Sequence, residues 1–310
     1  MGTAIHVGTS GYSFKDWVGT VYPEGLPARE FLSYYARAFR SVEINTTYYR
    51  VPEASLFRNM LSKVPDDFVF VVKTPREVTH ERARLDSVAA QFLAGIEPLR
   101  RAEKLGGLLA QFPTSFHRNE DSLRHLEKLS DTFVARGIPV HVEFRHNEWF
   151  VENVFDWLRD RGLGFVNVDL PRTGALPGPS NITTNSTAYY RLHGRNARMW
   201  WRQPTAGHRY DYRYRDEELG EWAGRILEKA PTVDTVYVFA NNCHLGSSYV
   251  DALRLSRMVG GDAVMPEAPP ADLFAEGTTD PLVELGARID ALRAQEQPRI
   301  DAWLRQQAPR

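Results

Sequence analysis

Eight short apolar segments, each typical of a buried strand, alternate with segments of helical periodicity along most of the chain. Eight strand-then-helix units in about 255 residues match a (β/α)8 TIM barrel, which typically needs about 250. We therefore assign the chain to the α/β class. An open doubly wound sheet is the alternative, but no glycine-rich GxGxxG turn supports it. The strands are predicted at 4–7, 41–45, 68–72, 107–110, 140–144, 163–168, 188–192 and 236–240, and the first helix at 28–39.

The C-terminal part of the chain has a different character, so we divide the sequence into a barrel at residues 1–260 and an extension at 261–310. The segment GDAVMPEAPPADLF is rich in proline and alanine and predicts an irregular strap over the surface. Leu282, Leu285 and Ile289 recur with helical spacing and predict a terminal helix, packed on the barrel and stopped near Pro298.

Composition excludes several classes of protein. The 310 residues are 43% hydrophobic, and 38 basic against 39 acidic residues give a formal net charge of -1. This charge balance argues against a dedicated nucleic-acid binder, although it does not exclude a local basic patch. The single cysteine, Cys243, suits a reducing compartment, and the N-terminus lacks the pattern of a signal peptide. No apolar run approaches the roughly 18 residues that span a bilayer. We expect a cytoplasmic protein without membrane contact.

The segment PVHVEFRHNEWF carries the most informative strand. Its apolar residues alternate with His141, Glu143 and Arg145, which is the two-residue period of a strand. Burying a carboxylate and a guanidinium at the end of such a strand is costly unless they are paired or meet a ligand. Two interpretations follow: Glu143 and Arg145 form a structural ion pair, or they belong to a polar site at the mouth of the barrel.

Polar or ionisable residues end all eight predicted strands. In TIM barrels the functional residues lie at these C-terminal ends and in the loops that follow. Polar residues at all eight strand ends are better explained by a ligand pocket than by strands that each happen to end at a polar residue. The strand-end residues are Thr9, Ser10, Glu43, Asn45, Lys73, His80, Gln111, Glu143, Arg145, His146, Asp169, Arg191, His193, Asn241 and Asn242. Of these we assign substrate binding to Thr9, Asn45, Gln111, Arg145, Arg191 and Asn241, together with Tyr48.

Metal-free acid–base chemistry is one use of this rim, and it would make the protein an isomerase or a hydrolase. Glu43 or Glu143 would be the base and His80 or His193 its partner, because a carboxylate in a partly dry mouth has a raised pKa. Lys73 ends an apolar strand and would be either a desolvated amine that forms a Schiff base or an ion-pair partner of Glu43.

A divalent metal ion is the second use. Glu143, Asp169 and His193 end three successive strands, and carboxylate and imidazole ligands suit Mn, Zn or Mg. Against this, Arg145 and Arg191 would repel a cation, and no HxH or HExxH spacing is present.

The long loop at 191–215 indicates the sign of the ligand. It holds seven arginines and one acidic residue, Asp211, interleaved with tyrosines and tryptophans. Arginine binds phosphate or carboxylate in a bidentate manner, and aromatic rings stack on a base or a sugar face. We therefore expect a polar, anionic or carbohydrate-like small molecule. The alternative function is a non-catalytic protein that binds nucleic acid or a phosphorylated ligand through this loop. A purely structural role is also open, in which the loop is a lid that packs its own aromatic residues.

A series of motifs resembles the YecE-like family, catalogued as domain of unknown function 72. The resemblance runs from about Val7 to Leu255 and implies a TIM barrel related by fold to sugar isomerases, without an established activity. Members often place a histidine directly after the paired asparagines, whereas Cys243 here intervenes before His244. The motifs are GTSGYSFKDW, VEINTTYYR, KTPREVTH, QFPTSF, VEFRHNEW, YYRLHGR and the NN of FANN.

Overall fold

A ring of eight parallel strands organises the protein, as seen in a computed structural model that describes residues 2–82, 85–264 and 280–307. The strands follow the order β1-β8-β7-β6-β5-β4-β3-β2. An isolated parallel bridge between Ser10 and Glu43 joins β1 to β2 and brings the ring nearly to closure. All eight predicted strands are confirmed. They are β1 Ala4–Thr9, β2 Ser41–Ile44, β3 Val69–Lys73, β4 Leu105–Gln111, β5 Val140–Glu143, β6 Leu163–Asp169, β7 Thr187–Leu192 and β8 Thr235–Ala240.

Helices follow seven of the eight strands and cover the outside of the ring, which gives the predicted (β/α)8 barrel. The first is shorter than predicted, because a 3-10 turn at Ala28–Glu30 precedes a helix of only five residues. Among the described residues, an eighth helix follows after the barrel. They are α1 Phe31–Tyr35, α2 Ala54–Leu61, α3 Leu85–Arg101, α4 Glu120–Phe133, α5 Glu152–Asp160, α6 Asp216–Lys229, α7 Ser247–Val259 and α8 Pro281–Gln307.

The connection between β6 and β7 is an exception to the strand-then-helix pattern. Residues 170–186 are all described and contain no helix. Three prolines in this segment disfavour one, since proline lacks the amide that an interior helical position needs. Asn167 instead ties the segment to the barrel: its side chain donates to the carbonyl of Ile182 and accepts from the amide of the same residue, both at 2.8 Å.

The two faces of each strand have different environments. Val140 and Val142 of β5 belong to the large core between strands and helices, whereas Val71, Leu109 and Tyr189 belong to a second apolar cluster inside the ring. The alternation in β5 therefore points its apolar residues outward and its polar residues into the barrel. This orientation brings polar side chains from distant strands into one interior.

Tight packing closes the lower half of the interior. His141 is fully buried between the strands, and a Cβ on Gly164 would lie 2.3 Å from its Nδ1. A Cβ on Gly106 would lie 2.4 Å from the hydroxyl of Tyr237. Burial lowers the pKa of His141 to about 4, so its ring is neutral. A ligand therefore reaches the barrel interior from the C-terminal ends of the strands.

The C-terminal helix α8 packs beside α7 and buries Leu282, Leu285 and Ile289. The expected stop near Pro298 is wrong, because α8 continues through this residue to Gln307. Most of the predicted strap lies outside the described residues. Within the described part of the chain, none of the helices combines the length and the apolar character needed to cross a membrane.

Candidate functional site

A cavity of about 720 Å³ opens at the C-terminal ends of the strands. Its walls combine polar strand ends with aromatic residues of the surrounding loops. Of the residues predicted from the sequence, Ser10, Asn45, Tyr48, Lys73, His80, Gln111, Arg145, Arg191 and Asn241 line it, and Tyr49, Trp200, Trp201, Arg209 and Tyr210 add to it from the loops. The strand ends therefore meet around one opening.

A buried network of two carboxylates and two guanidinium groups forms the floor of this cavity. Glu43 and Glu143 are 0% exposed. Arg191 donates from Nε to Oε2 of Glu43 at 2.8 Å and from Nη2 to Oε1 of Glu43 at 2.6 Å. Its remaining nitrogen Nη1 donates to Oε2 of Glu143, whose Oε1 accepts from Nε of Arg145. The ion pair between Glu143 and Arg145 that the sequence suggested is thus present, inside a larger network.

These contacts decide the charge of both carboxylates. Burial alone would raise the pKa of Glu43, but the charge and the hydrogen bonds of Arg191 outweigh it and lower the pKa. The same opposition, with Arg145 and Arg191 against burial, holds the pKa of Glu143 well below its usual range. Both groups are ionised at neutral pH and every oxygen has a donor. They are suited to holding the arginines in place, and poorly suited to accepting a proton from a substrate.

His193 lies above Glu143 and is fully buried. Its Nε2 is 3.4 Å from Oε1 of Glu143, and its Nδ1 is 2.7 Å from the side-chain nitrogen of Asn241. Burial and the charge of Arg145 keep the pKa of His193 well below its usual value, so the ring is neutral. It connects the buried network to Asn241 at the cavity wall.

Lys73 is an ionisable group on the cavity wall whose pKa departs strongly from its usual value. Burial, followed by the charge of Arg191, lowers its pKa from 10.5 to about 7. Its Nζ donates to Oε1 of Gln111 at 2.8 Å and lies 4.5 Å from the centroid of the Tyr48 ring. The predicted ion pair with Glu43 is absent between these two described residues. A large share of Lys73 is therefore a neutral amine at physiological pH.

His80 lies near this amine on the cavity wall. Its ring packs edge-on against Tyr48, and its Nδ1 is 2.9 Å from the hydroxyl of Thr79. Burial and the charge of Lys73 lower the pKa of His80 to about 4. The ring is neutral at physiological pH, so it favours hydrogen bonding over the acid role expected from the sequence.

Two predicted residues point away from the cavity. Thr9 does not line the cavity, and its backbone amide donates a hydrogen bond to the hydroxyl of Tyr35. Asp169 lies on the outer face of β6, where Arg195 binds both of its oxygens at 3.1 and 2.9 Å. As a result, the ligand atoms of the predicted metal set, Glu143, Asp169 and His193, do not all lie within 4.8 Å of one another.

The arginines of the 191–215 loop are largely paired within the protein. Five of the seven form ion pairs with carboxylates outside the loop: Arg191 with Glu43, Arg195 with Asp169, Arg198 with Asp301, Arg213 with Asp290 and Arg215 with Glu218. Arg209 has no ion pair among the described residues, and its guanidinium lies 5.6 Å from the centroid of the Trp200 ring. The loop therefore covers the cavity and adds one uncommitted cation to its wall.

Trp200, Trp201 and Tyr210 of the 191–215 loop, whose rings the sequence suggested as stacking surfaces, line the cavity, whereas Tyr49 was not assigned to the site. Tyr49 is 79% exposed and Trp201 is 53% exposed at the rim, an unusual position for large rings. Adjacent aromatic pairs in polar loops were the signal, since side chains that are not needed for a core are free to meet a ligand. Cys243 also lines the cavity, and burial raises the pKa of its thiol to about 12, which argues against a nucleophile.

Comparisons with known proteins agree with this architecture. A family model described as "Protein of unknown function DUF72" matches residues 6–273. The UPF0759 protein YunF of Bacillus subtilis (strain 168) is 26% identical over 255 residues, which cover 77% of this chain and 88% of YunF. The UPF0759 protein YecE of Escherichia coli (strain K12) is 31% identical over 163 residues, or 51% of this chain and 55% of YecE.

Solved structures show the same fold. The crystal structure of a DUF72 family protein from Thermotoga maritima MSB8 is 41% identical with a TM-score of 0.77, and the match covers 83% of this chain and 99% of that one. A second DUF72 family protein, from Enterococcus faecalis V583, is 24% identical with a TM-score of 0.73 over 86% of this chain and 99% of its own. The latter similarity supports the fold alone.

Proposed function

Since the chain belongs to the DUF72 family, whose function is unknown, we propose a function from the chemistry of its own site: an enzyme that acts on a small, anionic or carbohydrate-like carbonyl compound through Lys73. The observation that carries this proposal is a lysine with a pKa of about 7 on the wall of a cavity of about 720 Å³. Perturbed lysines in concave, partly apolar sites are frequent catalytic groups.

The environment of Lys73 supports an amine nucleophile. Its neutral Nζ attacks a carbonyl carbon, the carbonyl oxygen leaves as water, and the product is a Schiff base between Nζ and that carbon. Arg145 and Arg209 line the same cavity and favour a substrate that carries a carboxylate or a phosphate. Tyr49 and Trp201 offer exposed ring faces for the hydrophobic side of a sugar-like chain.

The alternative function, nucleic-acid binding through the 191–215 loop, has weaker support. Ion pairs inside the protein neutralise five of its seven arginines. Affinity for nucleic acid depends on basic groups that are free to contact phosphates. Arg209 lies against Trp200 at the cavity, which favours a small ligand over a polymer.

Trapping with a reductant tests the proposal. The protein is incubated at pH 7 with glyoxylate, pyruvate or glyceraldehyde 3-phosphate and sodium cyanoborohydride, and modified peptides are identified by mass spectrometry. We expect at least one of these carbonyl compounds to modify Lys73 in preference to the other five of the chain's six lysines. The preference should disappear in Lys73→Arg, because an arginine does not form the imine.

The control is Lys128→Arg, which removes an exposed lysine on α4 and should leave the labelling of Lys73 unchanged. Glycerol 3-phosphate, which has the anion without the carbonyl, should slow labelling by competition. Equal modification of all six lysines, or labelling of Lys73 that is insensitive to this competitor, contradicts the proposed function.

A further inference from the structure

A second cluster of ligand-type side chains lies at the edge of the cavity, on three separate segments. His208 belongs to the 3-10 helix Ala206–Tyr210, His244 follows β8, and Glu296 is on α8. Nε2 of His244 is 2.8 Å from Oε2 of Glu296, and Nε2 of His208 is 4.0 Å from the same oxygen. One ligand atom from each of the three residues lies within 4.8 Å of the other two.

These separations suit a small divalent ion. Ligands at 2.0–2.1 Å from a tetrahedral zinc ion are roughly 3.4 Å apart, and the observed distances of 2.8 and 4.0 Å fall on either side of that value. Two imidazoles with one carboxylate form a ligand set typical of zinc. The side chain of Glu296 is 39% exposed, so it has room to adjust to an ion.

The opposite edges of both rings are also occupied by oxygen atoms. Nδ1 of His208 is 2.8 Å from the hydroxyl of Thr205. Nδ1 of His244 is 3.9 Å from the carboxylate of Asp16, which is held by the backbone amide of Leu245. Metal-bound histidines commonly present their second nitrogen to an oxygen, which fixes the ring orientation. His208 makes this contact with Thr205, whereas the Asp16 carboxylate lies beyond hydrogen-bond distance of His244.

We propose that His208, His244 and Glu296 bind a divalent metal ion of the zinc class, which leaves a fourth coordination position for water or a ligand. Gly207 and Asp16, which line the cavity, lie at the Nδ1 edge of His244, whereas Nε2 faces Glu296 on α8, so the ion would lie beside the cavity, behind this histidine. The ion would also connect α8 to the 191–215 loop. This inference stands on its own and does not depend on the reactivity of Lys73.

The chain contains a cluster of similar composition that serves as a comparison. His117, His146 and Glu148 also bring three ligand atoms within 4.8 Å of one another. There, however, Oε1 of Glu148 already accepts from the backbone amide of Arg118 at 2.7 Å and lies 2.9 Å from Nδ1 of His117. His117 is 57% exposed on its side chain. This arrangement satisfies the carboxylate without an ion.

Metal titration of the untagged protein tests the proposal. The chain is stripped with EDTA, freed of chelator and titrated with ZnCl2 by calorimetry, and with CoCl2 by visible absorption, which reports tetrahedral coordination. We expect one equivalent of each ion. Glu296→Gln and His244→Ala should each weaken binding by about 100-fold or more, whereas Thr205→Ala should cost roughly 10- to 100-fold because it removes only an outer partner.

His146→Ala is the matched control and should retain the full equivalent with unchanged affinity. Circular dichroism of each metal-free variant verifies folding, and Glu296→Gln replaces a partly exposed side chain that is outside the core. Absence of binding by the wild-type chain overturns the proposal. Loss of the equivalent in His146→Ala, with full binding in Glu296→Gln, assigns the ion to the other cluster and overturns it as well.

Discussion

Replacing Lys73 with methionine should change how the stability of the protein depends on pH. The native pKa of Lys73 is about 7, whereas its usual value is 10.5. Between these two values the unfolded chain holds a proton on Lys73 that the native protein lacks, so the wild-type free energy of unfolding rises with pH. The slope for one such group is about 1.4 kcal/mol per pH unit. Because the native amine is still half protonated at pH 7, the slope there is about half of this value, and the rise from pH 7 to pH 9 is about 2.3 kcal/mol.

Lys73→Met removes the titrating amine, so the free energy of unfolding of the variant should not show this increase with pH. Urea unfolding at pH 6, 7, 8 and 9 measures the difference in free energy of unfolding between the variant and the wild type. The variant should gain relative stability as the pH falls, by roughly 2 to 3 kcal/mol from pH 9 to pH 6. The lost hydrogen bond to Gln111 shifts all four values by a similar amount and does not affect the trend.

Lys128→Met is the control, because Lys128 is exposed on α4. Its difference from the wild type should be nearly constant over this range. If the Lys73→Met difference is equally flat, the amine is not desolvated in the native protein. The basis for assigning Lys73 a chemical role is then lost.

Two further substitutions test the framework around the site. Glu43→Gln removes one charged carboxylate from the buried network and should lower the free energy of unfolding in urea by roughly 3 to 5 kcal/mol. The control Glu53→Gln, at an exposed ion pair with Arg50, should change it by less than about 0.5 kcal/mol. Equal effects of the two substitutions would contradict the network. Gly164→Ala forces a Cβ to within 2.3 Å of the buried His141 ring and should lower the free energy of unfolding in urea by about 1 to 3 kcal/mol. The control is Gly220→Ala on α6, where the space is open, and it should be neutral or stabilising in the same assay.

The architecture was readable from the sequence because its signal repeats. Eight apolar segments at the spacing of a parallel barrel constrain one another, so an error in one of them does not change the fold. Single helices carry less information. The helix predicted at 28–39 includes a 3-10 turn, and α8 passes through Pro298 although an isolated pattern predicts a stop there. In both places local propensity is weaker than tertiary packing.

The direction of each strand-end side chain was harder to predict from the sequence than the fold. In β5 the apolar residues occupy one face, so the sequence itself points Glu143 into the barrel. In β6 both faces are apolar, with Phe165 in the outer core and Val166 in the inner cluster. The alternation that would have oriented Asp169 is absent there. Its outward position, and hence its pairing with Arg195, follows only from the three-dimensional structure.

The buried network explains why the site keeps its carboxylates away from the cavity. Arg191 lowers the pKa of Lys73, and Glu143 and Glu43 oppose that effect. Because each guanidinium is matched by a carboxylate, the interior stays close to neutral, and Arg191 is held in place by Glu43 and Glu143. A freer Glu43 or Glu143 would pair with Lys73 and restore its positive charge. The ion pairs on the floor thus leave Lys73 with a hydrogen bond to Gln111 and a ring contact to Tyr48, and these conditions favour the neutral amine.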